Sequence, residues 1–257
     1  LDWSWGKLYA VHLKPKGASY IATKEEFVTG APLPITDAII HPDDGAMYFT
    51  IGGRKVQSGL YRVTYVGDES TNPVVPESTE NVARTTRHRL EAFHGKKDAD
   101  AVRVAWPYLS DSDRFIRFAA RTAIEHQLVE EWADKALAES DPNKQVEALL
   151  ALTRVTGVCP QHRDESTPPV DADMRDKLLQ AMIKIDLTRL DQKSQLAYQR
   201  TLQIILSRFG RPDEAVINQL VAKIDPLFPS DSAEMNWLLC ETLAWLESPT
   251  IAQKAIA

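Results

Sequence analysis

The chain has 257 residues, 44% of them hydrophobic and 26% charged, a balance typical of globular domains with enough apolar surface for a core. Its formal net charge of −6 disfavours nucleic-acid binding driven by phosphate contacts. No apolar run approaches the roughly 20 residues that span a bilayer. The sequence begins with Leu1 rather than methionine and carries no signal peptide, so we expect a piece of a longer protein.

Residues 1–66 are predicted to form short β-strands separated by turns. Alternating or apolar runs favour strands over residues 7–13, 19–28, 38–41, 46–51 and 59–66. Glycine, proline and aspartate separate them, most clearly in the PDDG turn at 42–45. A meander of this kind is typical of β-propeller blades. Four aromatic residues are expected to pack inside this region: Trp3, Trp5, Tyr9 and Tyr20.

Residues 67–79 are rich in Gly, Ser, Thr, Pro and acidic side chains, which predicts an exposed linker. Residues 80–257 then show helical periodicity, with stops at glycine or proline. The clearest helix follows oxygen-bearing cap residues at 111–113. Its predicted apolar stripe is Phe115, Ile116, Ala119, Ala120, Ala123 and Ile124. Arg114, Arg117 and Arg121 lie opposite this stripe, as a solvated face or a surface for a protein partner.

The helical part contains an imperfect repeat. Ile116 and Val146 occupy equivalent positions 30 residues apart, within the range of paired-helix solenoids. The first copy has Asp111 six residues before Arg117, a spacing suited to a polar ladder between repeats. The second copy has Glu147 in place of the arginine, which predicts a weaker ladder. Residues 157–170 form a polar insertion, expected to be a mobile loop between the two helices of one repeat.

Several segments resemble a late blade of a dehydrogenase-type β-propeller: LPITD (33–37), PDDGAMYFT (42–50), GGR (52–54) and SGLYRV (58–63). The likeness continues through RLEAFHG (89–95) and residues 105–126, whose order is similar to the first helix of a HEAT-like repeat. Together they resemble the large propeller–HEAT–cytochrome c proteins of planctomycetes and their relatives, which include haem-binding, membrane-bound dehydrogenase-like proteins.

This resemblance implies an α+β multidomain fragment: the last, incomplete blades of a β-propeller at 1–66, a linker at 67–79, and a truncated α-solenoid of HEAT-like repeats at 80–257. It also implies a periplasmic or cell-surface protein. The partners would be the flanking propeller blades and a cytochrome domain of the same protein. Haem c, and a pyrroloquinoline quinone if the propeller is a dehydrogenase, would be bound outside this chain.

Candidate chemistry within the chain is sparse. Asp37, His41 and Arg54 lie near predicted strand ends, where propellers place functional loops, and are candidates to touch a quinone or substrate. As alternatives, Asp37 bonds backbone amides and Arg54 is solvated. The Cys-x-x-His spacing of Cys159 and His162 lacks the further ligands of a zinc or haem motif. No nucleophile–base pair or metal motif is recognisable, so we assign no catalytic residue.

Two functions remain open from the sequence. The first is a scaffolding segment of a periplasmic redox protein that couples a dehydrogenase-like propeller to a c-type cytochrome. The second is a non-catalytic scaffold whose propeller and solenoid bind other proteins.

Overall fold

The computed structural model describes residues 1–72 and 81–256, which form an α+β protein with five strands followed by ten α-helices. The chain divides into two compact units, Leu1–Arg84 and Thr85–Ala257. The predicted order of strands and then helices is therefore confirmed. Of the predicted linker at 67–79, residues 73–79 lie outside the described part of the chain.

The first unit contains two small antiparallel sheets. Its strands are β1 (Lys7–Lys16), β2 (Ser19–Thr29), β3 (Ile35–Ile40), β4 (Met47–Gly53) and β5 (Val56–Val63). Strands β1 and β2 form a hairpin, and β3, β4 and β5 form a three-stranded meander with β4 in the centre. The described residues thus form no closed propeller. The predicted three strands after residue 35 do lie in one sheet.

The core of the first unit is small because only a few strand residues face inward together. Leu8 from β1 packs with Ile35, Phe49 and Ile51 from the three-stranded sheet. Phe49 also stacks on its cross-strand neighbour Tyr61, with ring centroids 4.9 Å apart. Most other side chains of β1 and β2 are exposed on both faces of the hairpin.

The prediction that the aromatic residues form a core is wrong for Trp3, Trp5 and Tyr20, whereas Tyr9 is half-buried. Trp3, Trp5 and Tyr20 are 53%, 76% and 42% exposed. Polar atoms hold two of them at the surface: the indole of Trp3 donates to the carbonyl of Gly52, and Arg84 lies over the ring of Tyr20. Exposed aromatic rings with a polar edge are stable in such positions because one side stays apolar and the other stays wet.

The second unit consists of helices. The ten helices of the described chain are α1 (Val82–Glu91), α2 (Ala101–Ala105), α3 (Arg114–Glu125), α4 (Ala133–Leu137), α5 (Pro142–Thr156), α6 (Ala172–Lys184), α7 (Gln192–Phe209), α8 (Glu214–Ile224), α9 (Ala233–Trp245) and α10 (Ile251–Ile256). The division between the units falls inside α1. Short 3₁₀ turns cover Trp106–Ser110, Val129–Glu131, Pro160–His162, Leu187–Arg189 and Asp225–Leu227.

From α2 onward the helices stack as pairs in two layers. Helices α3, α5, α7 and α9 pack side by side in one layer, the inner row, each against its neighbours in that row. Helices α2, α4, α6 and α8 each pack on the next helix of the chain. Alternating packing of this kind builds a continuous core from units that bury little surface alone.

Acidic or hydroxyl caps start the helices of the inner row. Asp113 accepts a bond from the amide of Phe115, and Asp141 accepts bonds from two amides at the start of α5. Asp191 and Ser232 cap α7 and α9 in the same manner. Each side chain satisfies amides that have no partner within the helix, so it fixes where the helix begins. Caps of this kind fix the starts of all four helices of the inner row.

Two predicted details differ from the structure. Phe115 is 36% exposed, unlike the other five residues of the predicted stripe, which are buried. The insertion at 157–170 joins α5 to α6. Helix α5 packs on α4, the helix before it, and α6 packs most extensively on α7, the helix after it. The insertion therefore connects consecutive pairs instead of the two helices of one pair. Its longer reach suits a connection that crosses from one layer to the other.

Candidate functional site

The three predicted cofactor candidates do not form one site. Asp37 lies exposed on β3, where its carboxylate accepts a bond from the amide of Ala38 at 2.8 Å. His41 lies in the turn between β3 and β4, and Arg54 lies in the turn between β4 and β5. The length of β4 separates these turns by about 20 Å, at roughly 3.3 Å per residue. His41 and Arg54 therefore lie at opposite ends of β4.

His41 belongs instead to a surface cluster around Asp44. The Asp44 carboxylate accepts bonds from the amide of Ala46 at 3.0 Å, the hydroxyl of Tyr48 at 2.9 Å and Arg62 at 3.0 Å. The ring of His41 lies 3.6 Å from the same carboxylate. The backbone amide of Ala46, followed by the Tyr48 and Arg62 bonds, lowers the pKa of Asp44 to about 2.

This cluster braces the β3–β4 turn and is unsuited to proton transfer. A carboxylate with a pKa near 2 is a poor general base at neutral pH. The sequence analysis treated Asp44 only as a turn residue and missed Tyr48 and Arg62. The signal lies in the strand register, because Tyr48 and Arg62 are direct partners across β4 and β5.

The predicted arginine row on α3 is only partly solvated. Arg114 is exposed, with its guanidinium over the ring of Phe115. Arg117 donates to the carbonyls of Asp111 and Ser112 at 2.6 and 3.2 Å, not to the Asp111 carboxylate. Arg121 donates to Glu147 on the neighbouring helix at 3.1 Å. The row thus holds two helices of the inner layer together.

These contacts extend into a network that we call the α3–α5 ladder: Arg117, Arg121, Glu125, Glu147 and Arg154. Glu147 lies between Arg117 and Arg121 at 3.7 and 3.1 Å, and Glu125 lies between Arg121 and Arg154 at 3.2 and 2.8 Å. The prediction that Glu147 weakens the ladder is wrong. An acidic residue in the second copy pairs with the arginines of the first, whereas a second arginine would repel them.

A groove crosses α7 next to this ladder. One hollow, of about 370 Å³, lies between α7 and the end of α5, and three arginines line it: Arg154, Arg200 and Arg208. A second hollow, of about 450 Å³, lies between α7 and α9 and ends at Trp245. The two share Gln203, Ser207 and Glu241. We refer to both together as the α7 groove.

Cys159, from the predicted Cys-x-x-His spacing, lines the arginine end of the α7 groove and is a free thiol. His162 follows on the same 3₁₀ turn. Within residues 1–72 and 81–256, no three His, Cys, Asp or Glu side chains are grouped to hold a metal ion. No helix in that part of the chain is long and apolar enough to cross a membrane.

The fold and these surfaces were compared with what is known of other proteins. No protein-family model, no curated protein and no solved structure matches this chain.

The α3–α5 ladder makes a measurable prediction. Arg121 and Glu147 have only 14% of each side chain exposed, so neutralising either leaves the other poorly solvated. We expect Glu147→Gln to lower the free energy of unfolding by about 1–3 kcal/mol. A double-mutant cycle with Arg121→Gln, followed by urea unfolding, measures the coupling directly.

The control for that cycle is the Arg103–Asp100 pair, whose side chains are 73% and 65% exposed. Its coupling should stay below about 0.5 kcal/mol because water and salt screen exposed pairs. Equal couplings in the two cycles would contradict a stabilising role for the ladder.

The Asp44 cluster predicts a pH dependence. The pKa of this group is 3.8 without the cluster and about 2 in the folded protein, so the folded form favours the carboxylate. Its contribution to stability is complete above pH 3.8 and is lost as the pH falls toward 2. An NMR titration of the Asp44 carboxyl should therefore show a midpoint near 2.

Tyr48→Phe removes one donor to Asp44 and should move that midpoint upward, toward the ordinary value. Asp186 in the second unit, whose pKa is lowered by the hydroxyl and the amide of Thr188, should titrate identically in both proteins and serves as the internal control. A midpoint that Tyr48→Phe leaves unchanged would show that the hydroxyl does not hold the carboxylate.

Proposed function

We propose that this chain is a structural segment of a larger redox protein. In this proposal residues 1–66 are the last strands of a β-propeller, and the helices are HEAT-like repeats that position neighbouring domains. The observation that carries the scaffold role is the exposed apolar surface of the two sheets. That surface is suited to burial against further β-structure.

Both sheets expose large apolar side chains. Ile39 and Ile40 on β3 are 63% and 56% exposed, and Leu60 on β5 is 68% exposed. Val11 and Leu13 on β1 are 57% and 60% exposed. Exposed apolar side chains on both faces of small sheets with free edges mark a contact region or an aggregation hazard.

The free edges of the sheets also support this proposal. Within the described residues, β3 and β5 each pair only with β4, so each leaves one row of backbone groups without a strand partner. Two-stranded and three-stranded sheets with little core are marginal alone. Additional strands and a facing blade would satisfy both the edges and the exposed side chains.

The redox part of the proposal comes from the resemblance of the sequence to propeller–HEAT–cytochrome c proteins. In that setting a dehydrogenase-like propeller passes electrons to a c-type cytochrome domain, both reaching beyond this chain, in the periplasm or at the cell surface. Asp37, His41 and Arg54 lie too far apart to hold a quinone together. We therefore assign no chemical step to these three residues, and the segment has a structural role.

The second candidate is a non-catalytic scaffold that binds other proteins. The α7 groove favours this reading, since it combines arginines with an exposed tryptophan on a rigid helix stack. Stacked helix pairs commonly present such surfaces to partners. Both candidates give the helices the same supporting role and differ in whether the longer protein carries haem.

Lysine substitutions at exposed apolar positions test whether the sheets are buried in the full-length protein. In this chain alone, Ile39→Lys and Leu60→Lys should change the free energy of unfolding by less than about 0.5 kcal/mol, because both side chains are already solvated. In the full-length protein the same changes should destabilise the propeller by about 2 kcal/mol or more, since a charge would be buried. Thermal unfolding of both forms measures the difference.

Arg54→Lys, in an exposed turn, is the matched control and should be neutral in both forms. If the full-length protein tolerates the sheet lysines as easily as this chain does, no blade covers these faces.

The haem content of the full-length protein separates the two candidates. A c-type absorption spectrum and a covalent haem stain in the full-length protein, with neither in this chain, are the expected results for the redox scaffold. A verified full-length protein without haem would overturn the redox role and leave the protein-binding scaffold as the better account.

A further inference from the structure

We propose that the α7 groove binds a peptide segment of a partner protein in which acidic residues are followed by an apolar side chain. The proposal rests on the supporting role of the helix stack and names the partner chemistry. It requires neither haem nor a completed propeller. Three features of the groove support it. Arginines that form no ion pair in the described part of the chain lie at one end, and a carboxylate that already accepts hydrogen bonds lies in the middle. An exposed indole lies at the other end.

The arginine end carries excess positive charge. Arg200 and Arg208 form no ion pair within residues 1–72 and 81–256, and Arg154 shares the carboxylate of Glu125 with Arg121. Arg200 is exposed and donates to the amide oxygen of Gln203 at 2.8 Å. Guanidinium groups without an acidic partner offer strong, charge-assisted bonds to carboxylates.

Arg208 is already held in position. One of its terminal nitrogens donates to the carbonyls of Arg154 and Gly157 at 2.9 and 2.7 Å. A guanidinium has five N–H donors, so the remaining ones stay available to a ligand. Because the side chain is ordered by the protein itself, a carboxylate that binds it does not bear the cost of fixing it.

The acidic residue in the groove is engaged elsewhere. Glu241 accepts a bond from the indole of Trp237 at 2.7 Å and from the amide of Gln203 at 3.3 Å. These neutral donors hold the carboxylate between the two hollows, away from direct pairing with an arginine. The groove therefore changes from arginines at one end, past Glu241 in the middle, to the indole of Trp245 at the other end, and this order gives a bound peptide one preferred direction.

The far end suits an apolar side chain. Trp245 is 43% exposed at the end of α9, and Arg211 lies over its ring at 5.7 Å. Gly210 on the opposite wall has no atom within 4 Å of the place a Cβ would occupy, so this end is open. Hollows of about 370 and 450 Å³ admit side chains of an extended segment rather than a globular domain.

A protein segment fits the groove better than a nucleic acid. Nucleic-acid surfaces need a continuous basic track along a repeating phosphate backbone. Here the arginines of the basic end lie in one hollow and Glu241 follows them, while Arg211 at the other end pairs with Glu214 and Glu247. The whole chain carries a net charge of −6. Acidic residues placed next to an apolar anchor match this distribution.

The test uses a short fluorescein-labelled peptide with a run of glutamates followed by leucine and phenylalanine. Fluorescence anisotropy measures its binding to this chain, beside a peptide with lysine in place of each glutamate. We expect the glutamate peptide to bind at least about tenfold more tightly, the effect of one charge-assisted bond. Equal binding of the two peptides would overturn the proposal.

Arg200→Glu should weaken the glutamate peptide about tenfold and strengthen the lysine peptide, because it reverses one charge in the groove. The matched control is Arg189→Glu on the 3₁₀ turn Leu187–Arg189, an exposed arginine outside the groove, which should leave both peptides unaffected. Trp245→Ala should weaken the glutamate peptide while the helical circular dichroism stays unchanged. If Arg200→Glu and Arg189→Glu act alike, only the general charge of the chain is being measured.

Cys159 reports whether the peptide occupies this groove. In a Cys240→Ser background, saturating glutamate peptide should slow alkylation of Cys159 several-fold, and the lysine peptide should not. Unchanged alkylation would place the peptide elsewhere and overturn the site. A single-stranded oligonucleotide that binds as tightly as the glutamate peptide would overturn the choice of partner. None of these results depends on the sheet lysines or on haem, so they fail independently of the proposed function.

Discussion

The helix stack depends on one packing constraint: each middle helix of the inner row must bury two sides at once. Helix α5 contacts α3 on one side and α7 on the other, while α4 and the 3₁₀ turn before α3 cover its back. Small residues make this possible. Ala119, Ala120 and Ala123 on α3, and Ala148 and Ala151 on α5, are almost completely buried. Without bulky side chains, the helix axes can approach to about 8–10 Å.

Burying two sides leaves each inner helix only a narrow strip facing solvent. Charged residues on adjacent strips are then close neighbours, which is why Arg121 on α3 reaches Glu147 on α5. Between α7 and α9 the same closeness produces a buried polar contact, in which Gln199 donates to the hydroxyl of Thr242 at 2.8 Å. Such contacts add direction to apolar packing, because a hydrogen bond fixes the register in which two helices meet.

Local signals in the sequence predict where elements begin and end, and they do so well here. Asp113 and Asp141 cap α3 and α5 through atoms only two or three residues away, so no knowledge of the fold is needed to find them. Such local signals do not predict contacts between helices that are distant in the sequence. The role of Glu147 depends on which helix lies beside α5, and periodicity cannot supply that. Because Glu147 stands where the first copy of the sequence pattern has Arg117, the sequence predicts a weaker ladder. In the structure Glu147 pairs with Arg121 on the neighbouring helix.

In the strand region too, the sequence predicts the elements but not which side chains they bury. Alternation predicts the five strands. The clustered aromatic residues Trp3 and Trp5, which precede β1, were expected in a core that the described residues do not provide. The apolar character of an aromatic ring does not say whether another element covers it. For the candidate site, the sequence supplied the arginines on α3. It missed Arg200 and Arg208, which lie in a helix pattern dominated by buried apolar residues.

The α7 groove follows from the stack itself because the residues that shape it also hold the helices. Gly157, where the insertion leaves α5, lies so close to α7 that an added Cβ would come within 2.6 Å of the Phe209 ring. Only glycine allows this approach. The close contact brings the carbonyl of Gly157 to Arg208 and so orients that guanidinium at the groove wall. Because these contacts order the Arg208 side chain within the protein, a ligand that binds it loses less free energy in fixing that side chain.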